Sequence, residues 1–413
     1  VLGGTPPQIL RHSQVKHDLL RDYLVDYFLT LVTAPGQERV QLTIVDGFCG
    51  GGLYRDVAGR EVPGSPIVIL QAIKEAQARV MLEMQRHKPI DFDVKLICID
   101  IDESAIAHLR YVLDGHGYGD KLRSGAIETL TGDFYELSEP VINEVARRSP
   151  RAGRAIFILD QYGYDKVPLA TINTIFKKFK GAEVILNFNV DSLINFLNPK
   201  NLSDFERKTG ITDAVPADLL DKETRLPGYR RTVQSNLHQR IIQGSGAKYF
   251  TPFFIRPERG HGDYWLLHLS QHAKARDVMA TTHWKYNNHF SHHGGAGFDM
   301  FSTGYAAKID DQDKIQRGFL FDDLAEKISI ETMLEQIPRY LAEAKEGISF
   351  EAFFAQRINS TPATKAMVEK TVLQLAHANE IVITDENGKI RSPRVAIKST
   401  DLIKPYPQKL FSF

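Results

Sequence analysis

The chain has 413 residues, 43% of them hydrophobic and 25% charged, with 51 basic side chains balanced by 51 acidic ones. That length allows two domains, and zero net charge excludes a protein coated in basic charge while leaving room for a local basic groove. Two cysteines, Cys49 and Cys98, are too few for a disulfide framework or a cysteine-based zinc site, and no apolar run is long enough to cross a bilayer, so no membrane association and a reducing, cytoplasmic setting are expected.

Apolar periodicity predicts a helix over residues 15–33, stopped by Ala34-Pro35-Gly36. A strand-then-helix rhythm then runs to about residue 285, with strands at 41–46, 94–100, 126–133, 155–160 and 182–188. Such alternation implies a parallel sheet covered on both faces. Ser65-Pro66 reads as a cap and a first-turn proline opening a helix to about Arg86. The runs 248–257 and 263–271, joined by the turn ERGHG, read as an antiparallel hairpin. Five parallel strands closed by such a hairpin are the Rossmann-like α/β pattern of class I methyltransferases. Residues 190–247 exceed one crossover helix and are expected to form a helical insertion near the substrate. The first domain is thus drawn over 1–285, followed by a linker or ordered loop over 286–322. Residues 323–413 show the helix, helix, strand–turn–strand order of a winged helix, with Glu386-Asn387-Gly388-Lys389 at the turn.

The strongest local signal follows the first predicted strand: Asp46-Gly47-Phe48-Cys49-Gly50-Gly51-Gly52. Glycines tolerate positive φ and carry no side chain, so the backbone turns sharply and approaches a ligand closely. The carboxyl end of a strand is where open α/β sheets bind ligands. The dinucleotide fingerprint G-x-G-x-x-G fails, because Arg55 stands at its third glycine; D-x-F-x-G-x-G is the methyltransferase form of the loop. Asp46, Gly47, Phe48, Gly50 and Gly52 are therefore expected at the methionine end of S-adenosylmethionine. Asp100 ends the second strand, placed to accept hydrogen bonds from ribose hydroxyls, with Asp102 the better candidate for a helix cap. Asp133 and Phe134 end the third, where a carboxylate meets the adenine amino group and a ring stacks; an ordinary turn aspartate is the competing reading.

The fourth strand ends in Asp160-Gln161-Tyr162-Gly163. Amino-methyltransferases carry D-P-P-[YF] here, whose Asp and a backbone carbonyl hold the target NH2 while the aromatic stacks on the base. Asp160 is the candidate acceptor of a hydrogen bond from the nucleophile and Tyr162 the candidate stacker, without the rigid proline pair; a polar sheet edge closing the cofactor pocket is the alternative. Cytosine-C5 methyltransferases need a cysteine in this loop, and both thiols lie elsewhere, so covalent attack on cytosine is excluded. His283, His289, His292 and His293 form a cluster, but His289-x-x-His292 lacks the further ligands of a tetrahedral site, so no metal is expected.

Taken together these residues resemble the three-Cys-motif partner (TcmP) family. The similar features are Lys16 with the Tyr23–Phe28 helix, the Asp46–Gly52 loop, Gly64-Ser65-Pro66, Asp160-x-Tyr162-Gly163, Asn187 and the Tyr264–Ser270 strand. The tail adds Asn359-x-Thr361-Pro362-Ala363-Thr364, Gly388-x-x-Arg391 and Gln408-Lys409-x-x-x-Phe413. The resemblance implies a class I methyltransferase-like fold and a functional partner protein with three cysteines, of the kind that holds an iron–sulfur cluster. The leading expectation is an S-adenosylmethionine-dependent methyltransferase acting on nucleic acid with such a partner. DNA or RNA is then positioned by the winged helix and by Arg207, Lys208, Arg230 and Arg231. Two other readings compete: a non-catalytic cofactor-binding scaffold for the partner, and a protein or small-molecule methyltransferase.

Overall fold

Strand β1 (Arg39–Asp46) is the middle one of five parallel strands in a seven-stranded sheet and is covered on both faces, with Val40, Leu42 and Ile44 buried on one and Thr43 and Val45 on the other. The computed structural model describes residues 6–32, 37–83, 89–189, 193, 198–213, 215, 229–255, 264–286, 291–292, 297–299, 319–320, 323–344 and 346–407. The chain divides into two units, Val1–Phe290 and Ser291–Phe413. Between β1 and the rest of the sheet, β2 (Leu53–Arg55) and β3 (Glu61–Pro63) form a separate small hairpin. Parallel to β1 lie β4 (Asp91–Asp100) on one side and β6 (Ala155–Leu159) on the other. Beyond them come β5 (Ile127–Thr131) and β7 (Ala182–Asn189), also parallel.

The sheet ends in β8 (Tyr249–Ile255) and β9 (Tyr264–Ser270), giving the order β5-β4-β1-β6-β7-β9-β8. The second strand of the expected hairpin inserts next to β7, so β8 runs with the first five strands and β9 alone opposes them. Burial explains the choice. Trp265, Leu266, Leu267 and Leu269 suit an interior strand, whereas Pro252, with no N–H to donate, sits on the edge.

Helices α1 (Arg11–Leu31) and α2 (Ser65–Glu83) pack against each other. Asp102 caps α3 (Glu103–Leu113), its carboxylate accepting from the Ser104 amide at 2.8 Å, as expected of it. A short α4 (Gly119–Arg123) follows, and α5 (Phe134–Arg148) is capped by Asp133. The insertion after β7 contributes α7 (Leu202–Thr209) and α8 (Tyr229–Ser245). Helix α8 serves as the crossover to β8 and packs closely on α6 (Leu169–Lys178): a Cβ at Gly244 would meet Leu169 at 2.3 Å. Helix α9 (Ala273–Trp284) closes the unit.

A buried polar cluster pins α1 to the sheet. The Tyr23 hydroxyl donates to Glu183 on β7, and His268 Nε2 on β9 lies 2.8 Å from the same carboxylate oxygen. All three side chains are buried, and burial together with the Glu183 charge raises the Tyr23 pKa well above the phenol range.

The second unit carries α10 (Asp323–Glu343), β12 (Ile348–Ser349), α11 (Phe350–Arg357), α12 (Lys365–His377), β13 (Ile381–Thr384) and β14 (Leu402–Pro405). A two-residue pair, β10 (Ser291–His292) with β11 (Phe319–Leu320), precedes them. Ser349 and Thr364 cap α11 and α12. The sheet order β12-β14-β13 with three helices is a winged helix. The expected turn is present, with Gly388 at φ +79 and the Asp385 amide bonded to Lys389 O at 2.9 Å. The strand expected directly after it shrinks to one bridge, Thr384 to Ile390, and β13 instead pairs with β14. Pro393 interrupts the ladder there, and Asp401 gathers the Arg391 guanidinium and the Lys398 amide, making a long wing. Part of the segment expected as a linker is packed: Phe298 is buried against Tyr340 and Phe353, ring centroids 5.9 and 5.8 Å away. The ERGHG turn, His289, His293, the Arg230 and Arg231 side chains and the Gln408–Phe413 motif lie outside the described residues. Among the described residues no helix is long and apolar enough to cross a membrane.

Candidate functional site

The chain leaves β1 for β4 and β5, then returns to β6 on the opposite side, so the sheet reverses its winding between β1 and β6. Such a reversal opens a crevice at the carboxyl ends of the strands. Backbone bonds tie those ends together: Gly47 N to Ile158 O, Cys49 N to Ile99 O and Gly132 N to Asp100 O, each 2.9 Å. Gly50 and Gly52 take φ values of +59 and +80, and a Cβ at Gly52 would meet Leu109 Cδ1 at 2.7 Å. Only glycine makes this turn without strain. The β2–β3 hairpin is an excursion that returns at once, since Gly64 N bonds Gly52 O at 2.8 Å and α2 starts beside the turn.

Three carboxylates converge on that crevice. Asp46 is 1% exposed, and neither of its oxygens has a hydrogen bond of normal geometry. Burial pushes its pKa up to about 7; the Ser65 hydroxyl and Phe48 amide lie near enough to favour the charged form, while Asp160 and Asp100 oppose it. Asp100 spans the turn, accepting from Gly50 N and Asp102 N at 2.9 Å each. Asp160, at the tip of β6, is held by Lys16 of α1, whose ammonium lies 2.6 Å from both carboxylate oxygens. Tyr54, on β2, stands among all three; burial and their charges push its hydroxyl up to about 12.

Behind the Lys16–Asp160 pair is a small cavity lined by His17, Leu20, Ser65, Ile158 and Asn187. Asn187 is 4% exposed and its Oδ1 has no partner; His17 Nδ1 has none either, and burial lowers the His17 pKa to about 4. Buried polar atoms are nearly always paired, so the orphans beside this crevice leave bonds that a ligand could supply.

The other expected residues are distributed differently. Asp133 Oδ1 accepts from Tyr135 N at 2.8 Å, which is the helix-cap reading of that residue. Phe134 is 2% exposed and lies under Gly47, where a Cβ would meet its ring at 2.9 Å, so it shapes the turn and offers no free face. Phe48 is half-buried, 6.1 Å from Phe134. Tyr162 is 95% exposed. Gln161 is buried and its side-chain oxygen accepts from the Lys166 and Val167 amides at 3.0 and 3.1 Å, bracing the loop that a proline pair would stiffen. Cys49 and Cys98 are both buried, and the hydrogen bond from one thiol to the other, with burial, drives the Cys49 pKa far up. Arg207 and Lys208 are compensated, Arg207 by Asp204 and Lys208 by Asp204 and Asp165. His283 is fully buried in α9, apart from any metal cluster, and no group among the described residues is arranged to hold a metal ion.

Sequence reasoning missed Tyr54 and His17, and it had Lys16 only through a resemblance. One signal was visible: Lys16 and His17 interrupt the apolar face formed by Val15, Leu19, Leu20 and Tyr23, and a cation on a buried face needs a partner. Exposed apolar side chains follow the strand-end carboxylates too, Ile101 after Asp100 and Tyr135 after Asp133.

Comparisons with known proteins bear on both units. No curated protein matches the chain. Among solved structures it is similar to the bifunctional kinase-methyltransferase WbdD, at 10% identity over 62% of this chain and 39% of that one, TM-score 0.31. It thus spans about two-fifths of the length of WbdD. An rRNA methylase from Streptococcus thermophilus gives 12% identity over 64% of this chain and 99% of that one, TM-score 0.28. The plantazolicin methyltransferase BamL, solved with SAH, gives 11% over 63% and 89%, TM-score 0.24. Residues 304–388 match the family model described as the GMT-like wHTH domain, in agreement with the winged helix seen in the second unit.

Proposed function

We propose that the first unit is an S-adenosylmethionine-dependent methyltransferase and that its substrate is nucleic acid. The observation that carries the first part is the buried Asp46 carboxylate, engaged by no hydrogen bond of normal geometry, beside a glycine turn at the reversal point of the sheet. A crevice with three carboxylates and one fixed cation favours a ligand with positive charge, which distinguishes a sulfonium and an ammonium from the phosphates of a dinucleotide. Asp46 would hold the ammonium, and the remaining lone pairs of Asp100 the ribose hydroxyls. Ile101 and Tyr135 would flank the adenine, with Asp133 at its amino group. The cofactor supplies an electrophilic methyl group. The chain's own residues then have the tasks of orienting the nucleophile and excluding water. Asp160 accepts a hydrogen bond from the nucleophile, Lys16 fixes the carboxylate, and Leu20 and Ile158 wall the site.

Titration calorimetry with S-adenosylmethionine and S-adenosylhomocysteine tests this reading. Binding in wild type that Asp46→Ala abolishes is the expected result, and absence of binding at millimolar ligand refutes it.

The nucleic-acid part rests on the winged helix, whose wing exposes Lys389 and Arg394 with no ion pair among the described residues. Binding to duplex or single-stranded oligonucleotides is expected to weaken with salt, and the Lys389→Ala, Arg394→Ala double variant to lower the log–log slope by about 1–2. A flat salt response removes nucleic acid from the proposal. The three-cysteine partner is a further part of it, tested by co-purification and the visible absorbance of an iron–sulfur cluster.

A further inference from the structure

The methyltransferase reading leaves open which chemical edge the site accepts, and the Lys16–Asp160 pair bears on that directly. An ammonium has three N–H donors. Two of those of Lys16 are spent on the two oxygens of Asp160, each at 2.6 Å, and the third has no acceptor among the described residues. Each Asp160 oxygen keeps a lone pair, and among the described residues no donor other than Lys16 reaches either. Lys16 is only 12% exposed and Asp160 37%, so the pair faces solvent through the carboxylate side and is backed by Leu19, Leu20, Ile158 and Leu266. The site therefore presents one spare donor beside a carboxylate with a spare lone pair on each oxygen, fixed in space against apolar walls.

We infer that Lys16 is a specificity-determining residue, and that the pair reads an aminated nucleobase: the exocyclic amino group donates to Asp160 while the ring nitrogen beside it accepts from Lys16. This rests on the methyltransferase reading and narrows it. A lysine or other alkylammonium substrate brings donors only, so it faces the Lys16 cation with nothing to accept its proton and like charge to repel it. An aminated base brings both partners on one planar edge, and its ring suits the apolar walls.

The test uses the full-length chain, tritiated S-adenosylmethionine, and oligonucleotide homopolymers of deoxyadenosine, deoxycytidine and thymidine, with polylysine as the amine control. Transfer is expected to the adenine or cytosine polymer. Replacing the ring nitrogen beside the amino group by C–H, in the deaza analogue of the accepted base, should lower kcat/KM roughly 10- to 100-fold, the size of a charge-assisted hydrogen bond. In Lys16→Met the deaza replacement itself should cost little, beyond what both bases lose alike through the unheld Asp160, while Lys16→Arg recovers most of the deaza effect. Oligonucleotide affinity with S-adenosylhomocysteine bound, read by fluorescence anisotropy, should follow the same pattern. Equal deaza losses in wild type and Lys16→Met, no deaza loss in wild type, or transfer confined to thymidine or polylysine overturns the inference while leaving the methyltransferase reading intact. Calorimetry on the same samples separates the two failures, because absent S-adenosylmethionine binding defeats both. Where Lys16→Met does not fold, the wild-type deaza comparison and Lys16→Arg decide.

Discussion

Two buried polar clusters share the same two elements and differ in one respect. Tyr23 of α1 and Glu183 of β7 meet His268, and the Glu183 carboxylate is engaged by both neighbours. Seven residues earlier on α1, about 10 Å along the helix, and four later on β7, about 13 Å along the strand, Lys16 and Asn187 border a crevice in which Asp46, Asn187 and His17 keep atoms with no hydrogen bond of normal geometry. In the first cluster the Tyr23 hydroxyl, the Glu183 carboxylate and His268 Nε2 engage one another, with His268 Nδ1 the atom left over, and the cluster holds α1 in register. In the second the unpartnered atoms come from three residues on three elements beside one crevice, where a ligand would supply the missing bonds.

Substitutions should break the two clusters in opposite ways. Glu183→Ala removes the acceptor that Tyr23 and His268 share, leaving them only each other at 3.2 Å across a cavity, and urea denaturation is expected to show a loss of about 2–4 kcal/mol. S-adenosylmethionine affinity of the molecules that remain folded should be retained.

Asp46 offers a comparison of similar size with its own pH signature. Its native pKa near 7 lies above the ordinary carboxylate value of 3.8, so the folded state holds that proton more tightly than the unfolded chain does. The stability it contributes is complete below about pH 4, declines as pH rises, and is gone above about pH 7, a change on the order of 4 kcal/mol at most. The stability of wild type minus that of Asp46→Asn should therefore fall between about pH 4 and about pH 7. Cofactor affinity should move the other way and tighten with rising pH, because the ionised carboxylate is the form that pairs with an ammonium. A pH-independent difference would contradict the buried, unpaired state of Asp46.

Smaller effects are expected at the turn and at the thiols. Gly52→Ala combines a left-handed φ with a contact at Leu109 and should cost about 1–3 kcal/mol by thermal unfolding, with weaker cofactor binding. Cys49 and Cys98 should resist a thiol reagent in the native protein and react on unfolding, since burial and their mutual hydrogen bond disfavour the thiolate.

The sheet and the glycine turn were legible before any coordinates, because strands, caps and turns follow from residues close in sequence. Asp102 illustrates this: a cap needs only its own backbone two residues on. Asp133 shows the limit of such reading. Its position at a strand end fits a ligand contact and a cap equally, and the carboxylate is found on Tyr135 N. Phe134 looks from sequence like a stacking ring, yet the close approach of Gly47 draws it into the core. The long wing likewise escaped, since Asp401 ties down Arg391 from ten residues away.

Composition, apolar period and glycine placement were enough by themselves to determine a doubly wound sheet, the turn after its central strand and a winged helix in the tail, all properties of short stretches of chain. Only the tertiary structure decided that Lys16 meets Asp160 across 144 residues and that Asp46 is buried without a hydrogen bond of normal geometry. Whether a polar group is paired or orphaned depends on what distant segments bring to it, and no local pattern records that.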